Sequence, residues 1–272
     1  MTTPLSDRDL MPRLCRVAKE YEERYFDDLK KHVEKCPGNR LELKSALQDP
    51  RFSAQVFFGM YAFQRAGSER AGYGQIASNL LREGENYPSG ADFWKAFEYS
   101  CGSKGAKGVK TNERMNKELL EQGHLKLFDR TCKQAGWLYE LGQRMADEGV
   151  VLPAYLELLS IHSIGPKIAA FLCRDLVWIF DCEKEVLASE QLMLQPVDTW
   201  IRQVAELLWP KFKHLEAGKA DFLIATQIVS VSHQLDQSGV AFNQGSWHFG
   251  SRELRPGETL DSGLQRLANE PN

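Results

Sequence analysis

An all-α fold is predicted from three observations on this sequence. Apolar residues recur every three or four positions through nearly every segment. No run of alternating Val, Ile and Thr is long enough to suggest a strand. Gly, Pro and capping residues punctuate the chain at spacings that suit short helices.

The first helix is expected from Ser6 to about Glu34, with Leu10, Leu14, Val17, Tyr21 and Tyr25 on one stripe and Ser6 and Asp9 as a capping pair. Pro50 opens the next in its first turn, where a missing N–H costs nothing. It runs through Phe57, Phe58 and Tyr61 to Gly67, and these rings, with Phe63, read as core. Tyr73–Leu81 and Ser89–Tyr99 are short helices between Gly and Pro. Thr111 starts another that Gly123 ends, and Leu125–Met145 is a longer amphipathic helix. Pro153 opens a helix that ends at His162, and the next runs from Gly165 to about Phe180. Two more are expected near Val197–Leu208 and Ala220–Leu235. Phe242 to Phe249 reads as a short polar-aromatic loop, and Pro256–Asn272 as a polar, frayed tail.

The 272 residues carry 34 Lys+Arg against 37 Asp+Glu, a net charge of −3, with 43% hydrophobic residues. This excludes a disordered chain. It also argues against nucleic-acid binding by a broad basic face, so any such function must rest on a small site. One stretch departs from the balance. Lys104, Lys107, Lys110, Arg114 and Lys117 are interleaved with Gly102, Gly105 and Gly108. It reads either as a flexible loop for phosphates or as a solvated surface loop. The six cysteines are scattered without a CxxC pair and are expected as reduced thiols. No secretory signal and no bilayer-spanning window is visible, so the expected compartment is the cytoplasm.

The most informative segment is Leu158-Leu159-Ser160-Ile161-His162-Ser163-Ile164-Gly165-Pro166-Lys167-Ile168-Ala169-Ala170-Phe171. One helix ends, a tight turn follows at Ser163, Ile164 and Gly165, and a second helix starts with Pro166 in its first turn. The backbone N–H groups at such a start suit a phosphate oxygen and need few basic side chains. Downstream lies Gln195-Pro196-Val197-Asp198-Thr199-Trp200, with Asp198 at a helix start. Taken alone, Asp198 reads equally well as a helix-capping carboxylate.

Together these segments resemble the helix-hairpin-helix DNA glycosylase superfamily, the endonuclease III-like enzymes. Ile164, Gly165, Pro166, Lys167 and Ala169 match the hairpin core, while Ser163 stands for its first glycine, His162 for its proline and Ile168 for its threonine. The Asp198–Lys167 interval of 31 positions (198 − 167) is similar to that of the archaeal 8-oxoguanine DNA glycosylase branch. No cysteine follows Cys182, so an iron–sulfur cluster of the endonuclease III type has no ligands in this chain.

The resemblance implies a two-lobed all-α glycosylase fold with a cleft between lobes. One lobe would be 51–182 with the hairpin, the other 1–50 plus 183–272. It implies catalytic Lys167 and Asp198, acting on damaged DNA without metal or cofactor, as a monomer. Lys167 would form a Schiff base, its amine kept neutral by burial at a helix N-terminus. Asp198 would stabilise positive charge on the sugar. DNA contacts would come from Ser163, Ile164 and Gly165, from Gln64 near a wedge position, and from Lys104, Lys107 and Lys110. Phe242, Trp247 and Phe249 are candidates to stack on an extruded base, with a packed C-terminal turn as the alternative for their segment, and Phe57, Phe58, Tyr61 and Phe63 are weaker candidates that read more readily as core. The acidic insertion 181–194 is expected to loop away from DNA. His162 and His233 read as structural. Two alternatives stay open: a monofunctional glycosylase using Asp198 and water, and a non-catalytic DNA-binding protein of this fold.

Overall fold

The computed structural model describes residues 5–62, 68–82, 87, 89–103, 135–162 and 164–270. The described residues contain α-helices, short 3-10 and π-type turns, and no strand. The chain divides into two compact units, Tyr25–Cys182 and a terminal unit of Met1–Arg24 with Glu183–Asn272. Helix α1 (Asp7–Leu29) contributes residues to both.

The unit of residues 25–182 holds α2 (Arg40–Ala46), α3 (Pro50–Phe57), α4 (Ser68–Arg82), α5 (Gly90–Ser103), α6 (Trp137–Glu148), α7 (Leu152–Leu159) and α8 (Pro166–Phe180). Each start has a local cause. Asn39 and Asp49 cap α2 and α3 by accepting from the N–H of Glu42 and Phe52, and Pro50 takes the first turn of α3. Beyond Phe57 the helix widens into a π-type turn over Phe58–Ala62. Phe57, Phe58 and Tyr61 are buried in the core, and Phe63 lies outside the described residues.

Helix α8 is the centre of this unit. Its Asp175 is fully buried beside buried Arg174, whose Nε and Nη2 donate to Asp175 Oδ1 at 3.0 and 2.8 Å. Tyr61 Oη donates to Asp175 Oδ2 at 3.1 Å and lies 3.0 Å from Tyr25 Oη. Burial, then the Asp175 carboxylate, push the Tyr25 phenol well above its usual range. A buried charge is tolerated because it is paired and hydrogen-bonded.

Residues 25–50, expected with the terminal segments, group instead with α8. The Tyr25 ring lies 5.2 Å from that of Trp178, and Arg40 Nη1 donates to Trp178 O at 3.1 Å. The continuous helix expected over 125–145 is also corrected. The chain is non-helical at Ala135–Gly136 and α6 starts at Trp137. Gly136 donates its N–H to Gln48 O, and a Cβ there would stand 2.3 Å from Leu47 O, so this close approach requires glycine. The segment 104–134, including the helix expected at 111–123, lies outside the described residues.

The terminal unit packs α9 (Thr199–Leu208), α10 (Ala217–Leu235), α11 (Gly239–His248) and α12 (Leu260–Asn269) with the start of α1 around Leu14, Ile201, Val204, Ile224, Phe242 and Leu264. Two expectations are overturned here. Phe242–Phe249 is not a loop: Ser238 caps α11 and the segment is helical to His248. The tail is not frayed at 260–269. A Thr259–Ser262 capping box starts α12, Leu264 and Leu267 enter the core, and Arg13 Nη1 donates to Leu267 O.

Candidate active site

The hairpin segment lies in the unit of residues 25–182. Helix α7 ends at Leu159, where Ser160 Oγ donates to Glu157 O. The turn is anchored from inside by buried Ile161 and Ile164, with Ile164 N donating to Ile161 O at 3.1 Å. Helix α8 then starts at Pro166 with buried Ile168 on its inner face. Its first backbone bond is Ala169 N to Gly165 O, so the N–H groups of Lys167 and Ile168 have no partner within the helix.

Gly165 has ordinary extended backbone, φ −94 and ψ 175, and a Cβ there would meet nothing within 4 Å. Neither conformation nor internal packing demands glycine at this point.

Lys167 is exposed, in contrast to the burial the Schiff-base reading expects. The reason is register. Ile168 occupies the inward position, so its predecessor faces solvent along with Pro166. Lys167 makes no hydrogen bond or ion pair among the described residues. Ser163, Gln64, Lys104, Lys107 and Lys110 lie outside the described residues.

Asp198 lies in the terminal unit as the N-cap of α9. Its Oδ1 accepts from Ile201 N at 2.9 Å, and its backbone carbonyl accepts from Arg202 N. The carboxylate is half-buried, and Oδ2 carries no hydrogen bond among the described residues. One oxygen holds the side chain still, and the other remains available to a cation.

The segment leading into Asp198 is tied to its own unit. Glu183 accepts from Val240 N at 3.0 Å and from the Ser238 hydroxyl, capping α11 from outside. His233 Nε2 lies 2.8 Å from Gln191 Oε1, and Val186 and Leu194 are buried. Within the insertion 181–194, residues 183–194 are thus a packed strap, because the Glu183 carboxylate satisfies one orphan N–H of α11 and the apolar residues have a core to enter. Burial, then Glu183, push the adjacent Cys15 thiol up to about 12. Among the described residues, the cysteines are free thiols and no three potential ligands cluster as a metal site.

The three expected base-stacking rings take different places. Phe242 and Phe249 are each 1% exposed in the core of the terminal unit, so neither presents a face to a base. Trp247 is half-buried against that core, edge-on to Tyr21 at 5.9 Å. A helix in place of a loop is the cause: positions 242 and 249 share its inward face.

Sequence reasoning offered Asn243 only as a hydrogen-bonding group of a polar-aromatic loop and gave Gln195 no role; the two meet beside Asp198's segment. Asn243 Nδ2 donates to Gln195 Oε1 and to Pro196 O, each at 3.3 Å. The available signal was a polar run, Asn243-Gln244-Gly245-Ser246, in a segment whose flanks are apolar.

No helix among the described residues is long and apolar enough to cross a membrane. Compared with known proteins, the chain matches no family model, no curated protein and no solved structure.

Proposed function

We propose that this protein is a DNA N-glycosylase with abasic-site lyase activity, acting on a damaged base such as 8-oxoguanine. The observation that carries the reading is the pair of motifs: Lys167 in the first turn of a helix after Ile164-Gly165-Pro166, and Asp198 opening another after Pro196-Val197. Two structural features support it. The helix start at Pro166 leaves the Lys167 and Ile168 N–H groups without an intrahelical acceptor, which suits a phosphate oxygen, and Gly165 adds no side chain beside them. Asp198 is held by one oxygen and offers the other.

In this mechanism the C1′–N bond breaks with its electron pair leaving on the base, while Asp198 stabilises the cationic sugar. The neutral amine of Lys167 bonds to C1′, loses its proton and opens the sugar to an imine. Removal of a C2′ proton then expels the 3′ phosphate, and water releases the enzyme. In the free chain Lys167 is exposed, so the exclusion of water falls to bound DNA and the extruded nucleotide.

Borohydride reduction of the imine is the test. Wild-type protein mixed with DNA carrying 8-oxoguanine or an abasic site should give a covalent adduct, and Lys167→Gln should give none while remaining folded. Absence of an adduct with every damaged DNA overturns the lyase step. The exposure of Lys167 favours a second reading, in which water attacks and Lys167 only contacts DNA. That enzyme releases a base, leaves the strand intact and loses activity in Asp198→Asn.

A further inference from the structure

Helix α11 buries polar side chains as well as apolar ones, Asn243, Gln244, Ser246 and His248 among them. A buried amide is costly unless it is hydrogen-bonded, so its partners reveal its purpose. Asn243 is 0% exposed, and its Nδ2 reaches two acceptors, Gln195 Oε1 and Pro196 O, at 3.3 Å each. Both acceptors lie within three residues of Asp198.

The segment needs such a tie. It connects the short turn Gln191–Leu194 to α9 without helical hydrogen bonds of its own, and Pro196 has no N–H to offer. Gln195 N donates to Leu192 O at 3.2 Å, which fixes only its near end. Gln195 is itself buried, and its amide stands over the first turn of α11. A Cβ at Gly239 would lie 3.1 Å from Gln195 Nε2 and 3.3 Å from Ser232 Oγ. Asn243 thus holds the peptide that enters Asp198, while Ile201 N holds the carboxylate.

We infer that Asn243 is a positioning residue for Asp198, acting through Gln195 and the Pro196 carbonyl. The inference rests on the proposed glycosylase reading. It assigns the buried Asn243 of α11 to aligning the carboxylate that must stand beside the cationic sugar. A displacement of about 1 Å at such a group costs on the order of 100-fold in rate.

The two halves of the reaction separate this role from general support of the fold. Breaking the C1′–N bond needs Asp198. Imine formation on a pre-formed abasic site starts from a sugar that has already lost its base, and needs Lys167. Asn243→Leu keeps most of the volume and removes the donors. Single-turnover base release should fall about 10- to 100-fold, while borohydride trapping on abasic-site DNA stays within about two-fold of wild type. Should Asn243→Leu fail to fold, Asn243→Ser with Gln195→Ala is the companion comparison, with melting curves as the folding check. The two should be non-additive, because each breaks the same tie.

Unchanged base release, or an equal loss of both activities, overturns the inference and leaves the glycosylase reading standing. A wild-type protein that neither releases a base nor forms an adduct overturns the glycosylase reading, and the inference with it.

Discussion

His32 shows what a single buried polar atom does to a fold. A Cβ at Gly59 would stand 2.4 Å from its Cγ, so the imidazole lies against the backbone of the π-type turn. Its Nδ1 is buried without a hydrogen-bond partner among the described residues. Burial lowers its pKa, with Lys31 adding to the effect and Asp28 opposing it. The folded state therefore favours the neutral ring, whereas the unfolded ring titrates at about 6.5. The contribution is complete above that value and is lost as pH falls toward the lower folded pKa. Urea unfolding should show stability declining between about pH 7 and pH 5, and His32→Leu should flatten that slope. None of this was visible in the sequence, where His32 is one polar residue in a charged stretch.

Among helices, two glycines make opposite demands. Gly245 lies where α11 crosses α1, and a Cβ would stand 1.8 Å from Leu14 O, a backbone atom that cannot swing aside. Gly245→Ala should cost about 1–3 kcal/mol or more in urea melts. Gly165 meets nothing and has a backbone open to any residue. Gly165→Ala should leave stability unchanged or raise it by up to about 1 kcal/mol. On the proposed function it should still weaken DNA binding, measured by fluorescence anisotropy, because the new methyl occupies the approach to the Lys167 and Ile168 N–H groups. Equal DNA affinity in this variant would remove the hairpin turn from the interface. Such opposite roles cannot be read from the letter G, since the atom that crowds Gly245 belongs to a helix more than 200 residues away in the sequence.

For the whole chain the charge is −3, and its consequence is a salt dependence. A site of backbone N–H groups and one lysine neutralises only one or two phosphates. The logarithm of affinity should then fall against the logarithm of salt with a slope of about −1 to −2. A slope of about −5 or steeper would place a broad basic surface on DNA and overturn the local-site reading. Anisotropy titrations across a range of salt concentrations decide between them.

Periodicity was enough to establish the helical class, because burying one face of a helix leaves a repeat in the sequence wherever it occurs. The helix starts at Pro166 and after Asp198 were equally legible, since a proline or a capping carboxylate acts within one turn of its own position. The boundaries of α6, the helical state of Phe242–Phe249 and the ordered α12 were not. Each depends on a distant partner: Leu47 O against Gly136, Leu14 O against Gly245, Arg13 reaching Leu267 O. The tie from Asn243 to Pro196 belongs with these, spanning 47 positions that no local pattern connects. A side chain's chemistry is written in the sequence, whereas its partner, and hence its burial and its role, is set when the chain folds back on itself.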